Sequence, residues 1–287
     1  MLPLWSDRLP ITSYGTMLVF GLFMAWWYAR RRAIAEGVDP SHIDLAVPLV
    51  FLISILGAWL LPMISLGNAL IGGHAGESQN RFRLFGLLFV AAPTLFAYCW
   101  ATGLGYRRML DLFALPAVLW LVCLRVGCFL AGCCWGDVAT KLEVGASLLA
   151  TPVQTVLWLT GDWVWSAVSF PQGSPAYQQH IILGLIGTGA TESVPVHPTQ
   201  LYELAYLLVL WVALRAMESR TLLPGYLAIA TLAGYTLGRF VIEFLRADSG
   251  IILGNLTFTQ LLCAMLFAGC AFAFGKMKTV NGSLYRT

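Results

Sequence analysis

The chain has 287 residues, of which 59% are hydrophobic and 11% charged, with a formal net charge of +3 and a mean hydropathy of +0.76. Soluble domains carry about 25% charged residues, so this composition excludes an ordinary soluble enzyme and describes an integral membrane protein. The small positive balance is too weak to imply a nucleic-acid partner.

Apolar segments run through the whole chain and predict an all-α integral membrane protein with seven transmembrane helices and a small extracytoplasmic head domain. The spans fall at roughly 13–31, 44–66, 84–101, 110–135, 199–217, 222–246 and 256–275. Residues 1–136 hold helices 1–4 and residues 137–196 the head. Residues 197–287 hold helices 5–7, which complete the same membrane body. The first segment, Tyr14 to Ala29, has no basic stretch before it and is followed at once by Arg30-Arg31-Arg32. That order predicts a retained helix with its N-terminus outside.

Threading the spans from there places ten basic residues on the cytoplasmic side: Arg30, Arg31, Arg32, Arg107, Arg108, Arg215, Arg220, Lys276, Lys278 and Arg286. Five lie outside (Arg8, Arg81, Arg83, Lys141 and Arg246), and Arg125 and Arg239 remain within spans. This asymmetry follows the positive-inside rule and puts the C-terminus in the cytoplasm. The outer loop Gly67 to Arg83 carries Gly72-Gly73-His74-Ala75-Gly76-Glu77, which flexible turn chemistry explains. The head segment is rich in aromatic residues, with Trp158, Trp163, Trp165, Phe170 and Tyr177 among prolines. That composition suits the headgroup level of the outer leaflet; packing of the segment on itself is the alternative.

Three stretches carry charge where a membrane span tolerates it poorly. In Leu124-Arg125-Val126-Gly127-Cys128-Phe129-Leu130-Ala131-Gly132-Cys133-Cys134-Trp135-Gly136, a cation closes a long apolar run. Continued as a helix, this stretch would set Gly132 and Gly136 within about 20° of Arg125, and Cys128 about 60° away. An ionisable residue inside a span marks a site unless it is simply paired, whereas glycines four apart also serve close helix packing. The second stretch, Val196-His197-Pro198-Thr199-Gln200-Leu201-Tyr202-Glu203, reads as a helix start with Glu203 near the positive end of the helix dipole. In the third, Tyr235, Arg239, Glu243 and Arg246 recur at helical spacing as one stripe. Arginines near the outer face exceed their obvious acidic partners, and guanidinium groups suit phosphate; a phospholipid headgroup is the anion most available at that depth.

Cys128, Cys133 and Cys134 match none of the common zinc spacings, and no histidine follows at ligand distance. They read as small buried hydrophobes, as do Cys99, Cys123, Cys263 and Cys270, and no metal is expected.

Arg125-x-Gly127-x-Phe129-x-x-Gly132-x-x-x-Gly136 resembles the signature of the prolipoprotein diacylglyceryl transferase family. His197 to Glu203 is similar to a second family motif, and Gly238-Arg239-Phe240-x-x-Glu243-Phe244-x-Arg246 to a third. Tyr14-Gly15 resembles a fourth, in matching order over almost the full length. The resemblance implies a multi-pass enzyme of the bacterial plasma membrane that needs no cofactor. Its substrates would be phosphatidylglycerol, drawn from the surrounding membrane lipids, and a preprolipoprotein signal peptide with a lipobox cysteine. The diacylglyceryl group moves to that thiol, a thioether forms and glycerol phosphate leaves.

By the same resemblance Arg125, Arg239 and Glu243 are the catalytic residues, the two arginines holding the phosphate. Tyr14, Gly132, Gly136, His197, Gln200, Tyr202, Glu203 and Arg246 bind substrate or position the arginines. Cys128, Ala131 and Cys133 depart from the usual asparagines and glutamate, and Phe85 stands where the family carries a third-span histidine, leaving His74 and His197 as possible stand-ins. These departures keep open a second reading, a non-catalytic lipid-handling paralogue. A transporter is disfavoured, because the two halves show no inverted repeat.

Overall fold

The computed structural model describes residues 13–63, 90–139, 167–218, 223–246, 251–253 and 256–284. The expectations for the Gly67 to Arg83 loop with His74, for Phe85, and for Trp158, Trp163 and Trp165 lie outside these residues. The chain is mostly helical: α1 Ser13–Ala35, α2 Pro40–Met63, α3 over 90–102, α4 Tyr106–Ala131, α5 Pro175–Ile182, α6 Thr199–Glu218, α7 Tyr226–Ile242 and α8 Phe258–Leu284. A two-stranded antiparallel ribbon, β1 Ile251–Leu253 with β2 Leu256–Thr257, precedes α8. Among the described residues five helical stretches are long and apolar enough to cross a bilayer: Pro40–Gly57, Tyr106–Ala131, Thr199–Glu218, Tyr226–Leu245 and Phe258–Met277. Large apolar side chains stay exposed along the helices, among them Val209, Val212, Val241, Met265 and Phe272, as lipid-facing positions require.

The described chain divides into two compact units. One comprises Met24–Pro116 and Leu222–Ala228. Its core gathers Ala29, Ala33, Ile43, Ala46, Leu95, Tyr98, Met109 and Leu112. The arginine triplet is put to use there. Arg30 pairs with Asp44 at 3.2 Å, Arg31 lies over the Trp27 ring at 4.2 Å, and Arg32 Nη1 donates to the Asp111 and Leu112 carbonyl oxygens at 2.7 and 3.0 Å. Asp111 in turn accepts the N–H groups of Gly225 (2.6 Å) and Ala228 (2.8 Å), satisfying the free donors at the start of α7.

The other unit comprises Met1–Phe23, Ala117–Thr221 and Ile229–Thr287 and contains every described site residue expected from the sequence. Small residues let its helices approach closely. A Cβ on Gly21 would lie 2.7 Å from Cys123 Cβ, and one on Gly127 would lie 3.0 Å from Met17 Cβ. One on Gly238 would overlap the Tyr206 ring, whose hydroxyl donates to the Gly234 carbonyl oxygen at 2.5 Å.

Within the expected head, α5 is capped by Ser174, whose Oγ accepts the Tyr177 N–H at 3.2 Å. Short β-bridges tie Val168 and Val138 to Val196, and Pro171 to Glu192. Phe170 is buried with Trp135, Ala176 and Val196 against Phe129. Phe170 and Tyr177 were expected at the headgroup level, but both are buried within the protein. The apolar pair Ile182 and Leu183 at the end of α5 is exposed instead, at 84% and 58%.

Candidate functional site

The helix bearing Arg125 stops before the glycines. Gly132 takes φ +66°; its N–H bonds the Phe129 carbonyl oxygen at 3.1 Å, and the Cys133 N–H bonds that of Cys128 at 3.1 Å. This is a Schellman cap with glycine at C′, where a left-handed residue closes the helix. Gly132 and Gly136 therefore do not continue the Arg125 face, which corrects the helical reading of 110–135.

Gly136 sits where three segments of the chain meet. Its N–H bonds the His197 carbonyl oxygen at 2.8 Å, and it bridges Arg246. An added Cβ would lie 2.6 Å from the Leu245 carbonyl oxygen and 2.7 Å from Thr199 Cγ2. The third motif is likewise not one straight stripe: α7 ends at Ile242, Glu243–Leu245 form a 3-10 turn, and Arg246 is extended.

These breaks bring the charges together. Arg125, from α4, pairs with Glu203 of α6 at 2.8 Å, and Arg239 of α7 reaches the same carboxylate at 3.3 Å. Arg239 also pairs with Glu243 at 2.6 Å, and Arg246 Nε approaches Glu243 at 3.9 Å. Arg125, Glu203 and Glu243 are each 3% exposed, so the network is screened from bulk water. It holds three guanidinium groups and two carboxylates among the described residues, and the Nε–H of Arg125 has no hydrogen-bond partner among them. Tyr14 packs on Gly127 beside this network.

The His197 to Glu203 motif divides its work. Pro198 precedes α6, and its carbonyl oxygen accepts the N–H groups of Leu201 (2.9 Å) and Tyr202 (3.3 Å). Thr199 Oγ1 donates to the Cys134 carbonyl oxygen at 2.8 Å, and Gln200 Nε2 donates to that of Cys133 at 2.7 Å. Gln200, expected at the substrate, thus fixes the segment after α4. His197 Nδ1 and the Tyr202 hydroxyl lie 3.3 Å apart. Burial pushes the His197 imidazole below its ordinary value, with Asp137 opposing, and burial does the same to His180.

Cys99, Cys123, Cys263 and Cys270 are buried, as the packing reading expects, while the other three cysteines cluster. The Sγ atoms of Cys128, Cys133 and Cys134 all lie within 4.8 Å of one another, the first buried and the other two half-buried. Arg125 Nη1 lies 4.0 Å from Cys128 Sγ, and the Cys133 thiol donates to the Cys128 carbonyl oxygen at 3.6 Å. Cys134 has φ +64°, which only glycine adopts without strain. The neighbouring Cys128 and Cys133 thiols, with the Arg246 and Arg125 charges, hold its own thiol well below the ordinary value.

Two contributors went unread in the sequence. Thr257 Oγ1 donates to Glu243 Oε1 at 3.2 Å. Its N–H bonds Gln260 Oε1 at 2.9 Å while the Gln260 N–H bonds Thr257 Oγ1 at 3.2 Å. This is a capping box, signalled by Thr257-x-x-Gln260 ahead of an apolar run.

The sequence model of the family described as prolipoprotein diacylglyceryl transferase matches residues 4–275. A phosphatidylglycerol–prolipoprotein diacylglyceryl transferase of Clostridium tetani is 28% identical over 248 residues, covering 84% of this chain and 82% of that protein. A protein of the same name from Symbiobacterium thermophilum is 26% identical, covering 90% of this chain and 85% of its own. One from Corynebacterium glutamicum is 25% identical, covering 94% and 80%.

Proposed function

The chain belongs to the prolipoprotein diacylglyceryl transferase family, and from that premise we propose that it moves the diacylglyceryl group of phosphatidylglycerol to the lipobox cysteine thiol of a preprolipoprotein. The observation that supports this reading most is the convergence of Arg125 and Arg239, from two helices, on the single carboxylate of Glu203. A carboxylate shared between two guanidinium groups leaves donors for a second anion, and the Nε–H of Arg125 is one of them.

The substrate sulfur attacks the glyceryl carbon that carries the phosphate oxygen. A C–S bond forms, the C–O bond breaks, and the electron pair leaves on glycerol phosphate. Arg125 and Arg239 stabilise the charge that builds on the departing phosphate, in a site dry enough for that contact to count. The thiol must lose its proton to attack, and that proton passes to solvent or to the released phosphate. Glu203 and Glu243 hold the guanidinium groups in register, with Thr257 fixing Glu243 in turn. Tyr14, His197, Tyr202 and Arg246 line the approach for headgroup and peptide. Gly132, Gly136 and Gln200 act through the backbone they shape.

The wider arrangement belongs to the same proposal. Seven spans cross a bacterial plasma membrane, with the N-terminus and the 137–196 head outside and the C-terminus in the cytoplasm. The exposed Ile182 and Leu183 then dip into the outer leaflet.

The test is a transfer assay in vesicles of phosphatidylglycerol with a lipobox peptide, read by peptide mass. The wild type adds one diacylglyceryl group per peptide, and Arg125→Ala loses that transfer. A wild-type protein that binds phosphatidylglycerol without ever modifying the peptide overturns the enzymatic reading in favour of a lipid-handling paralogue.

A further inference from the structure

We propose that Cys128, Cys133 and Cys134 form a three-thiolate site for a thiophilic d10 cation such as zinc, with a fourth coordination position open to an incoming thiol. Their sulfur atoms lie within 4.8 Å of one another. Zinc–thiolate bonds of about 2.3 Å set sulfurs about 3.8 Å apart in a tetrahedron, so small side-chain rotations close the set. Soft thiolates select zinc or copper(I) over harder ions.

The backbone is built to gather the three. The Gly132 cap folds the chain back so that Cys133 lies over Cys128, its thiol reaching the Cys128 carbonyl oxygen. Thr199 and Gln200 pin the Cys134 and Cys133 carbonyl oxygens, and Cys134 is kept in the left-handed region. Strain of this kind in a non-glycine residue persists only where its surroundings enforce it. Three thiolates with a divalent cation add one negative charge, beside a network whose guanidinium groups exceed its carboxylates by one, and Arg125 lies 4.0 Å from Cys128 Sγ.

Three protein ligands with a free position are the mark of a reactive rather than a structural zinc site. Resting on the transfer function proposed above, the fourth ligand is the substrate's lipobox thiol. Coordination breaks its S–H bond, forms a metal–sulfur bond and releases the proton to solvent. The thiolate is then held beside Arg125, one of the two groups assigned to the departing phosphate.

Metal content is read independently of transfer. Chelator-treated protein in detergent is titrated with zinc, and cobalt(II) serves as the spectroscopic probe. The expected result is one zinc per chain and a thiolate-to-cobalt charge-transfer band. Both are lost in Cys133→Ser, a one-atom change at a half-buried position, and both are kept in Cys270→Ser on α8. A lipobox peptide bearing cysteine strengthens the cobalt band, and the same peptide bearing serine leaves it unchanged. Zinc binding no greater than that of the triple Cys→Ser variant overturns the site, as does a disulfide between any two of the three in protein purified without oxidant. Cobalt binding with no response to the cysteine peptide overturns the fourth-ligand assignment alone. Loss of transfer in Arg125→Ala with full zinc content leaves the site standing and bears only on the phosphate clamp.

Discussion

At the scale of single residues, the site is a competition for two guanidinium groups. Arg125 and Arg239 were legible from sequence because a charge inside an apolar span is costly wherever it goes. Their shared partner Glu203 was named only through the family resemblance, because it lies on a helix far along the chain and pairing between helices is a tertiary outcome. The fork geometry of Arg239, which reaches Glu203 and Glu243 at once, is the part a lysine cannot copy. Arg239→Lys is expected to lower kcat/KM by about 100-fold or more in the vesicle assay, on the scale of losing one donor to transition-state charge. Activity within a few-fold of wild type would remove the clamp from the mechanism. Gly132 is a residue of a different kind: a methyl there meets Phe170 and Ser174 at 3.1 Å and suffers a positive φ. Gly132→Ala is expected to cost about 1–2 kcal/mol from the backbone alone, seen as a lower midpoint of thermal unfolding in detergent.

Among the elements, the apolar segments located the five helices suited to crossing a bilayer and misjudged how two of them end. The apolar run through Ala131, followed by glycines four apart, imitates a continuing helix, although the left-handed glycine at 132 is the usual stop. The Tyr235 to Arg246 stripe failed in the same way, because helical spacing carries no record of the 3-10 turn at Glu243. What replaces the lost helix is a junction built on Gly136, and no periodic pattern announces that. Helix starts carry clearer signals: Pro198 before α6 was read as one, and Thr257-x-x-Gln260 at α8 is a capping-box pattern that went unread. Asp111 caps α7 from another helix, a contact no local pattern shows. Asp111→Asn keeps the shape and loses the charge at that helix start, so we expect destabilisation of about 1 kcal/mol, measured as a fall in unfolding midpoint. Thr257→Ala is expected to cost about 1 kcal/mol as well. It should also lower transfer, since Thr257 holds Glu243, whereas Asp111→Asn leaves transfer per folded molecule intact.

For the whole molecule, composition alone settled the membrane class, and five helices of the described chain are suited to crossing a bilayer. The direction of threading rests on the basic-residue asymmetry, and reporter fusions check it. A fluorescent protein joined after Thr287 should fluoresce in the cytoplasm, and alkaline phosphatase joined there should be inactive. The reverse result overturns the proposed topology. Synthesis adds a demand that the finished fold conceals. The ribosome delivers Arg125 long before it delivers Glu203, so the translocon must accept that cation with no counter-ion yet made. An arginine costs about 2.5–3.5 kcal/mol at the middle of an inserting helix on the insertion scale, and less toward the end of the span, where Arg125 lies. The segment that carries it, Tyr106–Ala131, is the most apolar of the five. Its leucines and valines are expected to offset a lone charge in the bilayer until the later helices are made.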